Sequence, residues 1–132
     1  QLRQYTTQNN SISYFQGDVF NTEDFDKFKS HIGSKVNIIF SDAQHTGLGL
    51  ASEYINFIKD SLDEDFILYY DDLGSEAMRT IFFDIASLME VNGWLGQHEH
   101  AHLNGIVTSL NLQEIFANND LNIRYWLNSS PE

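Results

Sequence analysis

Two apolar runs, separated by one helix-length segment and each closed by aspartate, constrain this chain more than any other feature. Residues 35–41 carry Val36, Ile38, Ile39 and Phe40, and residues 66–70 read Phe-Ile-Leu-Tyr-Tyr. Runs this apolar, rich in β-branched and aromatic side chains, are what strands buried on both faces look like, and such strands belong to parallel sheets covered by helices. Between them Leu50, Tyr54, Ile55, Phe57, Ile58 and Leu62 recur at helical spacing. The periodicity predicts a crossover helix over about residues 48–62, with Glu53, Lys59 and Asp60 on its wet side. A strand, a helix and a second strand make a βαβ unit, and its two strands end in Asp42 and in Asp71-Asp72.

The flanking segments extend this α/β pattern. Residues 12–15 read as a short strand that stops at Gln16-Gly17-Asp18. A helix follows, capped by Thr22, with Glu23 and Asp24 in its first turn, where the helix dipole favours negative charge. Phe25, Phe28 and Ile32 form its apolar stripe, and Gly33 ends it. A further helix is predicted over residues 75–89, with Met78, Ile81, Phe82, Ile85, Leu88 and Met89 inward, stopped at Asn92-Gly93. Residues 93–97, 105–110 and 121–127 suggest strands, and residues 112–118 a short helix. No repeat, linker or low-complexity tract divides the 132 residues, so a single domain is the simplest organisation.

Charge and composition narrow the partners. Seven Lys and Arg against 19 Asp and Glu give a net charge of −12, a field that repels phosphate backbones and anionic lipid head groups. Nucleic acid and membrane surfaces are therefore not expected partners. Without cysteine there is no disulfide framework and no thiolate chemistry, which fits a cytoplasmic protein. The apolar runs fall far short of the roughly 18 residues that a membrane helix requires.

In open parallel sheets ligands bind in the crevice beyond the carboxyl ends of the strands. Asp42, Asp71 and Asp72 occupy such positions, and neighbouring strands stand only about 4.8 Å apart, so their oxygens can share a divalent ion. Hard oxygen donors suit Mg²⁺, with Ca²⁺ or Mn²⁺ as competitors. Taken singly, each aspartate also fits a turn or a helix cap, where this residue type is common.

The stretch Asp42-Ala43-Gln44-His45-Thr46 after one buried strand, followed one helix later by Ile67-Leu68-Tyr69-Tyr70-Asp71-Asp72-Leu73, resembles class I S-adenosylmethionine-dependent methyltransferases. The nearest branch is the metal-assisted small-molecule O-methyltransferases, including the macrocin O-methyltransferase and cephalosporin hydroxylase-like group. The resemblance implies a partial Rossmann-like, mostly parallel sheet flanked by helices, with antiparallel strands toward the C-terminus. It implies Asp42, Asp71 and Asp72 as ligands of Mg²⁺ or a similar cation, and His45 as substrate contact or base. Gly17-Asp18 resembles the segment whose acidic residue lies near the adenine of the cofactor, S-adenosylmethionine. The substrate would be a small molecule bearing a hydroxyl. Gln44 departs from the acidic residue common at its place.

The family's glycine-rich cofactor loop has no counterpart, since Gly47-Leu48-Gly49 follows the wrong strand. In a complete family member that loop lies upstream, and with it two strands between those matching residues 12–15 and 36–40. The expectation is a domain lacking its N-terminal half, which must pair with that half, dimerise or swap a strand to cover its exposed edge. The alternative is a noncatalytic half-Rossmann fragment or an oligomeric binding module. Two further features stand apart from the aspartates. His98, His100 and His102 alternate and would share one face of a strand, as a transition-metal site requires, although a solvated strand-to-loop segment also explains them. Trp94 and Trp126 suit a substrate pocket or, more commonly, the core.

Overall fold

In the computed structural model, which describes residues 9–97 and 103–119, the chain forms an α/β fold around one four-stranded mixed sheet. The elements run α1 (Thr22–Ile32), β1 (Val36–Ser41), α2 (Gly47–Glu53), a π-helical turn (Tyr54–Ile58), β2 (Leu62–Tyr70), α3 (Glu76–Leu88), β3 (Gly93–Gln97), β4 (Leu103–Thr108) and α4 (Leu112–Asn118). The strand order is β1-β2-β4-β3. β1 and β2 are parallel, joined by the helical crossover, whereas β4 runs antiparallel to both β2 and β3. The sheet is mixed: β1, β2 and β3 run the same way and β4, toward the C-terminus, runs against them as expected there, so that only the β1–β2 pairing is parallel; the short connection between β3 and β4 requires their reversal.

Alternation along the strands decides where the core lies. Phe66, Leu68 and Tyr70 of β2 and Val107 of β4 are buried on one face. Against them pack Leu50 of α2, Ile58, and Met78, Phe82, Ile85 and Ala86 of α3. Phe82 reaches closest to the sheet because Gly93 and Gly105 lie beneath it: a Cβ on Gly105 would stand 2.5 Å from its ring, and one on Gly93 2.9 Å. The expected inward stripe of α3 holds except at Leu88, which is largely exposed. On the opposite face Ile38 and Phe40 of the edge strand β1 remain 69% and 64% exposed, with Phe40 stacked on Tyr69 at 5.1 Å.

Three local differences from the sequence reading have physical causes. Residues 11–18 form no strand; Phe15 packs instead on Phe28 and His31, as a lone short strand beside no partner gains no ladder. Asn21 rather than Thr22 caps α1, its side chain accepting the Glu23 amide at 2.9 Å, while Gly33 closes the helix at φ 71°. The crossover helix breaks into a π-turn, with the Lys59 amide donating to the Tyr54 carbonyl, and β2 begins at Leu62. The register of β1 against β2 jumps between Val36 and Ile38, so Asp63, Glu64 and Asp65 bulge outward into solvent while still within the strand. No helix among the described residues is long and apolar enough to cross a membrane. The predicted strand over 121–127, Trp126, and the histidines His98, His100 and His102 lie outside the described residues.

Candidate functional site

The parallel pairing of β1 and β2 sets Ser41 beside Tyr70, so Asp42 and Asp71 leave the sheet from adjacent strand ends. The backbone beyond Tyr70 is then held on both sides. The Asp71 amide donates to the Ser41 carbonyl on β1 (2.9 Å), the Asp72 amide to Asn104 Oδ1 on β4 (3.0 Å), and the Leu73 amide to the Leu103 carbonyl (2.6 Å). Asp72 adopts φ 53°, a left-handed conformation that aspartate tolerates better than most residues. Arg79 of α3 donates to the Leu73 carbonyl at 3.1 Å and closes the turn.

Residues 42–46 make the matching turn after β1, and Thr46 starts α2 by accepting the Gly49 amide at 3.0 Å. This places His45 between the two turns. Its Nε2 donates to Asp42 Oδ1 at 3.0 Å, and its Nδ1 faces Asp72 Oδ2 at 3.5 Å. The Asp42 hydrogen bond, opposed by desolvation and joined by the charges of Asp72, Asp42 and Asp71, holds the imidazole pKa above its ordinary value. Since His45 and Asp42 are about half exposed and Asp72 about a third, water screens these interactions and the cluster adds little to stability. Its interest is chemical: an oriented imidazole with a carboxylate at each nitrogen is a place to hold or relay a proton.

The sequence-predicted residues divide into those the fold brings together and those it uses elsewhere. Asp42, His45 and Asp72 converge, and Asp71 acts on His45 through its charge. Among the described residues no three His, Asp or Glu side chains are grouped so as to hold an ion, because Asp42 and Asp72 meet on the imidazole instead. Asp18 serves its own turn, where Oδ1 accepts the Phe20 amide at 2.9 Å while its amide donates to Asp24 Oδ2 at 3.0 Å. Gly17 lies against the Phe15 ring. The glycines of Gly47-Leu48-Gly49 are packing residues: a Cβ on Gly47 would meet the Ala77 backbone of α3, and one on Gly49 would meet Gln44.

Beneath the strand ends the sequence reading needs one correction. Glu53, expected on the wet side of the crossover helix, turns inward, where its carboxylate accepts from the buried Ser41 hydroxyl at 2.5 Å. Burial pushes its pKa up, and the Ser41 bond only partly offsets this. Tyr70, buried and edge-on to Phe82, has its phenol pushed up as well, by burial first and then by the nearby Glu53 charge. Asn104 is the other polar residue that sequence reasoning missed. The available signal is an amide between Leu103 and the run Gly105-Ile106-Val107.

Comparison of the chain with family models, with curated proteins and with solved structures returns no match. Fold and site therefore define an α/β domain with a mixed sheet and an Asp-His-Asp cluster at adjacent parallel strand ends.

Proposed function

We propose that the intact protein is a methyltransferase-like enzyme that moves a methyl group from S-adenosylmethionine to a hydroxyl of a small molecule with divalent-metal assistance. The observation that carries this reading is the convergence of Asp42, His45 and Asp72 where the parallel strands β1 and β2 end, the place where open sheets bind ligands. The Rossmann-like assignment draws support from the antiparallel strand β4 set between β2 and β3, in keeping with the family's antiparallel strands toward the C-terminus.

In this reading His45, oriented by Asp42, takes the proton of the attacking hydroxyl once its contact with Asp72 opens. S-adenosylmethionine supplies an electrophilic methyl group and the cation supplies charge stabilisation at the acceptor oxygen. Asp42, Asp71 and Asp72 are the residues that would hold the cation, in competition with the imidazole that now joins two of them. Gly17 and Asp18 remain the proposed adenine-side segment.

A second reading, a noncatalytic half-Rossmann module, is favoured by one observation: Gly47 and Gly49, the nearest glycine pair to the site, are taken up by packing. Calorimetric titration with S-adenosylmethionine and Mg²⁺, on this chain and on a version extended upstream, separates the two. Binding by the extended version supports the enzyme; binding by neither, with both folded, supports the module.

A further inference from the structure

The turn that carries Asp71 and Asp72 is fixed by three consecutive amides, and only one of their acceptors is a side chain. Asp71 and Leu73 donate to backbone carbonyls of Ser41 and Leu103, acceptors that any sequence would provide. Asp72 donates to Asn104 Oδ1 at 3.0 Å. Asn104 is only 6% exposed, lies on a different strand, and faces Gly96 across the β4–β3 ladder. A buried amide amid apolar residues has a desolvation cost that an alternative such as leucine would avoid, so its place asks for a function beyond filling space. The residue it holds is the one at φ 53°, off the backbone region aspartate normally prefers, with Oδ2 turned toward His45.

We infer that Asn104 is a positioning residue for the site: by accepting the Asp72 amide it keeps that residue left-handed and its carboxylate against His45. This rests on reading Asp72 as part of the functional site. Asn104 acts on the site through its hydrogen bond to the Asp72 amide.

The test compares Asn104→Leu with Asn104→Asp in the full chain by ¹H–¹⁵N spectroscopy. Asn104→Asp keeps an acceptor oxygen in the same place. In Asn104→Leu the Asp72 amide should exchange about tenfold faster, as expected for losing one hydrogen bond. The His45 ring resonances should move to those of an Asp72→Ala variant, while the amides of β2 and β4 keep their positions. Asn104→Asp should restore both signals toward wild type. If Asn104→Leu fails to fold, Asn104→Ser, too short to reach the amide, is read in the same way. Wild-type exchange and wild-type His45 resonances in the folded leucine or serine variant would overturn the inference. A wild-type protein that shows no Mn²⁺ effect at the strand ends would sink the metal reading instead, and leaves both of these signals readable.

Discussion

Glu53 shows how one side chain can work against the fold that holds it. Its carboxyl is largely buried and raised in pKa, so folding favours the protonated form more than the unfolded chain does. The sign follows from linkage. A raised folded pKa means that the contribution to stability is complete below the unfolded value near 4.5 and is lost as pH rises through the folded value. At pH 7, above the unfolded value, this carboxyl therefore lowers stability relative to an uncharged residue in its place. Glu53→Gln keeps an acceptor for the Ser41 hydroxyl and removes the charge. Thermal unfolding should show it a few degrees more stable than wild type at pH 7, with the difference gone near pH 4. Equal stabilities at pH 7 would mean that the carboxyl is better solvated than its position indicates. At the same scale Asp42 and Asp72 were legible from the sequence, because a charged residue directly after an apolar run marks a strand end. Their meeting on His45 was not, because it depends on two turns, of which the one after β2 is held by hydrogen bonds from β1 and β4.

Among the elements, the packing of α3 on the sheet depends on the absence of two side chains. Phe82 fills the space over Gly93 and Gly105, and a methyl at position 105 would meet both its ring and Leu73. Gly105→Ala should therefore destabilise the protein by about 1–3 kcal/mol through overpacking. Adding Phe82→Leu should recover part of that loss in a double-mutant cycle; strictly additive effects in denaturant melts would show that the two positions do not share the space. The elements also show where periodicity suffices. α3 and the core of β2 follow from apolar spacing alone, and β1 does as a strand; its expected burial on both faces does not hold, because it lies at the sheet edge with Ile38 and Phe40 exposed. The crossover helix does not follow from spacing, since the π-turn at Tyr54–Ile58 interrupts a stripe that reads as continuous, and Glu53, three residues after the buried Leu50, faces the core. Strand direction was legible only through the family resemblance: residues 93–97 and 105–110 read as strands by composition, the second observed at Leu103–Thr108, and their antiparallel pairing depends on the length of the connection.

For the whole molecule the unguarded part is β1. Its outer side has no strand partner among the described residues, and Ile38 and Phe40 stand exposed beside it. Natural edge strands usually carry a charge, a proline or a cover, and residues 36–41 offer none within the strand. Association with another copy of the chain through this edge is predicted. Light scattering should give a mass above the 15.2 kDa of one chain, and Phe40→Glu should lower it to that value. A wild-type protein that is already monodisperse at 15.2 kDa would end the idea of self-association. The central claim, a cation-responsive site where β1 and β2 end, is tested most directly by Mn²⁺ titration followed in the ¹H–¹⁵N spectrum. Broadening should begin at residues 42–45 and 71–72 and disappear in Asp72→Asn. Broadening that begins instead at the exposed acidic bulge of residues 63–65, or that persists unchanged in Asp72→Asn, would contradict it.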